Sequence, residues 1–233
     1  MSIKTGRAAN SSTCKMFMPM KENGADVNPL DAIGGITYPS SVTSAGDGSS
    51  ITFGADVAAT ITGGTFPVIG ANDSFIIMYE ASVMSTTASG IEYGDVAVDS
   101  SVSLSTSFSS ETMTLKIADA APGAHTFIIT SADITDYTAP QGFAFAVDRT
   151  KHTAEFLVNG VTSSDVTDIS AASGVALLQS NQKMRIRGLK CHGLIVFVFE
   201  NQGLPSDYKA ALASMGASFA INDMRIWAAW EYL

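Results

Sequence analysis

Residues 102–109 alternate without a slip: Val102, Leu104, Thr106 and Phe108 take one set of positions, and Ser103, Ser105, Ser107 and Ser109 the other. A strand turns successive side chains to opposite faces, so this segment has one apolar face and one wet face. Helical spacing cannot reproduce that pattern. Met113, Leu115 and Ile117 repeat the period, and another strand, 125–130, follows the turn Pro122-Gly123. Upstream, Ile51-Thr52-Phe53 before Gly54 reads as a short strand, and 75–81 (FIIMYEA) as a buried one. The strictness of the alternation makes the serines a strand face rather than a low-complexity or glycosylated tract.

The clearest local unit is 142–161. Phe143, Phe145 and Val147 alternate with Ala144 and Ala146, and Asp148-Arg149-Thr150-Lys151 breaks the strand. Ala154, Phe156 and Val158 then lead to Asn159-Gly160, a pair that tolerates the positive φ of a two-residue hairpin turn. Further strands are expected at 175–178 and at 194–200, the most apolar and therefore central. One helix is expected, 206–215: Ser206 caps it, Gly216 ends it, and Tyr208, Ala211, Leu212 and Met215 share a face. A last strand, 219–232, alternates Met224, Ile226, Ala228 and Trp230 with Arg225, Trp227, Ala229 and Glu231. The expected plan is an extended basic arm, 1–30, followed by one all-β antiparallel sandwich, 31–233.

Composition agrees with one such domain. The chain has 233 residues, of which 46% are hydrophobic and 15% charged, and a net charge of −9. With a mean hydropathy of +0.22 it has ample apolar surface to offset the ordering entropy, which argues against disorder. Ser and Thr together number 49, against 13 Lys and Arg, too few cations for a general nucleic-acid binder. The longest apolar run, 194–199, is closed by Glu200 and falls far short of the ~20 residues of a membrane-spanning helix.

The charges are segregated. Residues 1–21 hold Lys4, Arg7, Lys15 and Lys21 and no acid, whereas 22–115 hold eleven acids and no Lys or Arg. A second basic cluster is Lys183, Arg185, Arg187 and Lys190. The arm cations are expected to dock onto an acidic partner, another copy of the chain or a neighbouring protein. No apolar stretch follows the basic N-terminus, so synthesis in the cytoplasm without a signal peptide is expected. In that setting Cys14 and Cys191 are expected to be free thiols, although one bridge between them is possible. Cys191-His192 invites a metal reading, but no ligand spacing joins it to His125 or His152, so no metal or other cofactor is expected.

Four motifs in order resemble laminin-G-like, concanavalin-A-like domains: FIIMYEAS at 75–82, HTFIITSAD at 125–133, FAFAVDRTKHTAEFLVNGV at 143–161 and GLIVFVFENQGLPSDYKAALASMG at 193–216. The resemblance covers roughly 50–216 and implies a jelly-roll sandwich of two large antiparallel sheets. The arm and the segment 219–232 lie outside it. That superfamily includes glucanases and lectins. Glycoside hydrolysis needs two carboxylates on one face, whereas Glu92 and Asp95, with Asp99 beyond, do not reproduce the glucanase spacing. No G-x-S-x-G, Walker or H-E-x-x-H motif occurs, and an enzyme is not expected.

Two readings remain. The first is a structural or attachment protein of a virus particle, most simply a bacteriophage, exposed on the virion as a trimer or dimer and docked through its arm. The alternative is a free-standing lectin-like, carbohydrate-binding domain. Its candidate contacts are Tyr93, Trp227 and Trp230 as aromatic or interface residues, with Asp95, Asp99 and Asn72-Asp73 as polar or calcium-binding ones.

Overall fold

The structure is a computed structural model and describes residues 14–18, 43–44, 51–54, 59–61, 69–83, 89–94, 102–109, 112–117, 125–130, 138–159, 161–162, 166–172 and 183–214. Its elements are β1 (Cys14–Met18), β2 (Thr43–Ser44), β3 (Ile51–Phe53), β4 (Ala59–Ile61), β5 (Ser74–Val83), β6 (Ser89–Gly94), β7 (Val102–Ser109) and β8 (Thr112–Ile117). There follow β9 (His125–Thr130), β10 (Gln141–Asp148), β11 (Thr153–Val158), β12 (Val161–Thr162), β13 (Thr167–Asp168), β14 (Lys183–Arg187), β15 (Leu189–Phe199) and the helix α1 (Tyr208–Ser214). Among the described residues the strands form two antiparallel sheets, accompanied by one short α-helix, an all-β arrangement.

The large sheet runs β12-β11-β10-β5-β15-β3-β2, with β13 also on β11 and β1 also on β15. Strand β15 is central, as its apolar sequence requires: β5 pairs with it along one edge, and β3 and β1 share the other. Every residue of β10 is buried, as are 193–199 of β15, so both faces of this sheet are covered there. On one face Ile76, Met78, Ala144, Ala146, Leu157, Ile195 and Phe197 pack with Leu204, Tyr208 and Leu212 from the helix and the loop before it. The opposite face holds Phe75, Tyr79, Phe143, Phe145 and Phe156, of which Phe145 and Phe156 lie 4.7 Å apart between ring centroids. Each such ring contributes roughly 1.5–3 kcal/mol by leaving water, so this aromatic layer is a main source of stability.

The small sheet runs β4-β14-β6-β7-β8-β9. Its register keeps the alternation of the sequence in phase from strand to strand. Leu104 is opposite Ile117, Thr106 opposite Leu115 and Phe108 opposite Met113, while Ser105 meets Lys116 and Ser107 meets Thr114. Ile91 and Ile186, paired across β6 and β14, are both buried.

Two features differ from the sequence reading. Within the segment read as an arm, Cys14–Met18 form β1 and pair antiparallel with 194–197 of β15 in the same chain. The pairing sets Cys14 opposite Phe197, six residues along β15 from Cys191, or about 20 Å at 3.3 Å per residue. A disulfide needs Cα atoms within about 7 Å, so the two cysteines are not bridged, and Cys191 is a buried free thiol. The basic cluster is also divided. Gly188, at φ 63°, turns the chain from β14 to β15, which sends Lys183, Arg185 and Arg187 to the small sheet and Lys190 to the large one. The segments 175–178 and 219–232 lie outside the described residues.

Candidate functional site

Three loops meet at one end of the large sheet, because β5 begins where β10 and β15 end. Phe75 is opposite both Val147 and Val198, which brings 69–73, 149–152 and 200–205 together. Their exposed side chains are all polar: Asn72, Thr150, Lys151, His152, Glu200, Asn201 and Gln202.

Two carboxylates brace this surface from beneath. Asp73 closes its own turn by accepting the Gly70 N–H through Oδ2 at 2.7 Å, and reaches across to accept the Asn201 N–H through Oδ1 at 2.8 Å. Asp148 is nearly buried. Its Oδ1 accepts the Thr150 hydroxyl at 2.7 Å and the N–H groups of Thr150 and Lys151 at 3.0 and 3.1 Å. Its Oδ2 faces the Lys151 ammonium at 3.1 Å and accepts the Leu204 N–H at 3.3 Å. Burial acts to raise the Asp148 carboxyl, but the Thr150 hydroxyl and the Lys151 N–H and ammonium outweigh it and hold the group below its ordinary value.

Arg149, the first residue of the 149–152 loop, points inward. Its N–H donates to the Ser74 hydroxyl at 2.9 Å, and its guanidinium donates to the Ala172 carbonyl at 2.8 Å. Burial lowers its pKa, against the pull of Asp73. His152 and Asn201 adopt left-handed backbone, φ 54° and 52°, which lets both loops turn tightly. Gly203 is required by close approach: a Cβ there would lie 2.5 Å from Thr150 Oγ1 and 3.2 Å from Asp148 Oδ1.

The cluster therefore presents amide, hydroxyl, imidazole, ammonium and carboxylate groups on a backbone fixed by the Asp73 and Asp148 carboxylates. Such a surface can hydrogen-bond a polar ligand with little ordering cost. It does not suit a cation, since Asp73 and Asp148 point their oxygens at N–H and O–H donors. Among the described residues no group of three or more His, Cys, Asp or Glu could hold a metal ion. Among them also, no helix is long and apolar enough to cross a membrane.

Of the residues singled out in the sequence, Asn72 and Asp73 fall in this site, Asn72 exposed and Asp73 as a brace. Tyr93 is on β6, opposite Met184 and Leu104, on the same alternate set as buried Ile91. Glu92 is opposite Arg185 on β14 and Ser105 on β7. Lys15 lies in β1. Lys4, Arg7, Lys21, Asp95, Asp99, Trp227 and Trp230 lie outside the described residues. The sequence reading missed Asn201 and Gln202, whose only local sign was their place between an apolar strand and Gly203-Leu204-Pro205.

No family model matches the sequence, and no curated protein sequence matches it. Solved structures do. The binding domain of botulinum neurotoxin serotype G aligns over 87% of this chain and 50% of its own, with a TM-score of 0.59 and 14% identity. The binding domain of Paraclostridial Mosquitocidal Protein 1 aligns over 87% and 52%, with a TM-score of 0.55 and 11% identity. The ligand-binding domain of botulinum neurotoxin serotype D, in complex with N-acetylneuraminic acid, aligns over 88% and 52%, with a TM-score of 0.56 and 8% identity. The likeness is one of fold. The chain spans about half the length of each of these domains, all of them binding domains.

Proposed function

We propose that the chain is a non-enzymatic carbohydrate-binding domain, a sandwich of the concanavalin-A-like kind whose three-loop surface recognises a polar glycan. The observation that carries this reading is the set of exposed Asn72, Thr150, His152, Asn201 and Gln202 groups on loops locked by Asp73 and Asp148. Sugars are recognised by directional hydrogen bonds from preorganised amides and hydroxyls, and this surface offers both. The fold likeness to solved binding domains, one of them in complex with N-acetylneuraminic acid, supports the same reading.

The test is a binding screen of the full chain against neutral and N-acetylneuraminic-acid-terminated oligosaccharides. Saturable binding to at least one, lost on Gln202→Ala, is expected. No saturable binding to any of them would sink the reading.

The virion reading, drawn from the Ser- and Thr-rich strands and the arm-plus-sandwich plan of the sequence, is a second proposal. It expects replacement of Lys4, Arg7, Lys15 and Lys21 by Gln to weaken self-association or attachment to particles, most at low salt. An association constant unchanged by the replacement and by salt would remove it.

A further inference from the structure

We infer that the loop site is one part of a longer rim, which binds an extended stretch of a linear, hydroxyl-rich oligosaccharide laid across the strand ends, with Asp168 and Ser170 at its far end; this rests on the carbohydrate reading above. The registers place five strand ends in one row. Ser74 is opposite Phe199 of β15, and its neighbour Phe75 is opposite Val147 of β10. Asp148 is opposite Thr153 of β11, and Thr153 is opposite Asp168 of β13. Because β10 pairs along one edge of β11, β13 lies on the other, and the local order is β13-β11-β10-β5-β15. Four spacings of about 4.8 Å set the β13 end about 19 Å from the β15 end. That row is longer than any single sugar residue.

The segment 166–172 is fastened to the loop site. The Ile169 N–H donates to the His152 carbonyl at 2.8 Å, and the Arg149 guanidinium donates to the Ala172 carbonyl at 2.8 Å. Ile169 and Ala172 are buried, whereas Asp168 and Ser170 are exposed. Asp168 Oδ1 accepts the Ser170 N–H at 2.8 Å, which orients the carboxylate on its own backbone. The Ser170 N–H and hydroxyl, and to a smaller extent the nearby His152, hold that carboxyl below the ordinary Asp value. Asp168 is thus an ionised acceptor through the neutral range, and a carboxylate accepts more strongly from a hydroxyl than a neutral oxygen does. Its charge at this end of the row also disfavours an anionic group there, so the matching ligand is an uncharged chain of hydroxyls. Gln202, Asn72, Thr150 and His152 continue the row toward β15, all exposed. A ligand as long as the row meets groups whose backbone is already ordered, so each further sugar residue binds at little extra ordering cost.

The experiment titrates the full chain with linear oligosaccharides of glucose, galactose, mannose and N-acetylglucosamine, each as a disaccharide and as a hexasaccharide. At least one hexasaccharide should bind at least tenfold more tightly than its disaccharide. Asp168→Asn keeps an acceptor for the Ser170 N–H but removes the charge. It should lower hexasaccharide affinity at least fivefold and leave disaccharide affinity within twofold, a pattern that misfolding cannot imitate. Gln202→Ala, at the other end of the row, should weaken both lengths. Equal affinity for the two lengths, or a hexasaccharide indifferent to Asp168→Asn, overturns the inference and leaves the loop site standing. Failure of every one of these chains to bind also overturns it. The carbohydrate reading falls as well only if the N-acetylneuraminic-acid-terminated oligosaccharides fail too.

Discussion

Asp148 shows how much one side chain can organise. It accepts from three backbone N–H groups and one hydroxyl across two loops, and its carboxyl is held below the ordinary Asp value near 3.8. A depressed carboxyl contributes stability that is complete above the unfolded pKa and is lost as pH falls through the folded one. Asp148→Asn should therefore cost about 1–3 kcal/mol at neutral pH, and the difference from the parent should shrink as pH falls below 3.8. Urea denaturation at neutral pH and at about pH 3 measures both. Gly203 tests the same joint from the other side. Gly203→Ala drives a methyl toward Thr150 Oγ1 and should lower stability by about 1–3 kcal/mol, with partial recovery in the double variant carrying Thr150→Ala. Additive losses in that cycle would show that the two positions do not meet. In the sequence, 148–151 was legible as a break in a strand. Nothing local distinguished an Asp that ends a strand from one that also ties down residue 204, because the partner is 56 positions away.

At the scale of elements, the hairpin at 153–162 was the most legible part of the chain. Its alternation and its Asn-Gly turn are local, and Val158 does pair with Val161 around Asn159 at φ 52°. The Asn159 side chain adds a tie the sequence did not announce, accepting the Gly142 N–H at 2.9 Å. The helix was legible too, although it starts at Tyr208, where the Tyr208 N–H donates to the Pro205 carbonyl at 3.1 Å. What fastens it was not visible. Tyr208 donates its hydroxyl to buried Glu155 at 2.8 Å, and Lys209 pairs with the same carboxylate at 2.6 Å. Burial, aided by Glu155, pushes the Tyr208 phenol up, so it stays a donor through the neutral range. Tyr208→Phe should cost about 1.5–3 kcal/mol, since it removes a hydrogen bond to a charged acceptor. The raised phenol contributes stability that is full below its unfolded pKa and is lost as pH rises through the folded one. The parent should thus lose stability above about pH 10, relative to the Phe variant. Thermal melts at neutral and alkaline pH check the sign, and parallel curves for the two proteins would contradict it.

For the whole molecule, the two-sheet plan follows from alternation, whereas its assembly depends on pairings between distant parts of the chain. Strand β1 joins β15 across about 180 positions, and no local pattern in 14–18 declares that partner. The same pairing separates Cys14 from Cys191. Mild oxidation should leave no intramolecular disulfide, and burial, which pushes the Cys191 thiol up, should keep that residue unlabelled by a thiol reagent until the chain unfolds. Mass spectrometry before and after denaturation reads both; a bridged Cys14–Cys191 peptide would contradict the register. The loop site is likewise a property of the whole, since its three segments come from positions near 72, 150 and 202 and meet only because β5, β10 and β15 lie side by side.

The measurement that bears most directly on the proposed function is a calorimetric titration of the full chain, and of a variant carrying Asn72→Ala and Gln202→Ala, with the best oligosaccharide from the screen. Both positions are exposed and neither side chain supports the fold, so the variant should melt within a few degrees of the parent. The account predicts a saturable isotherm for the parent and at least a tenfold loss for the variant. Equal affinity in the two proteins would place recognition away from these loops and contradict the account.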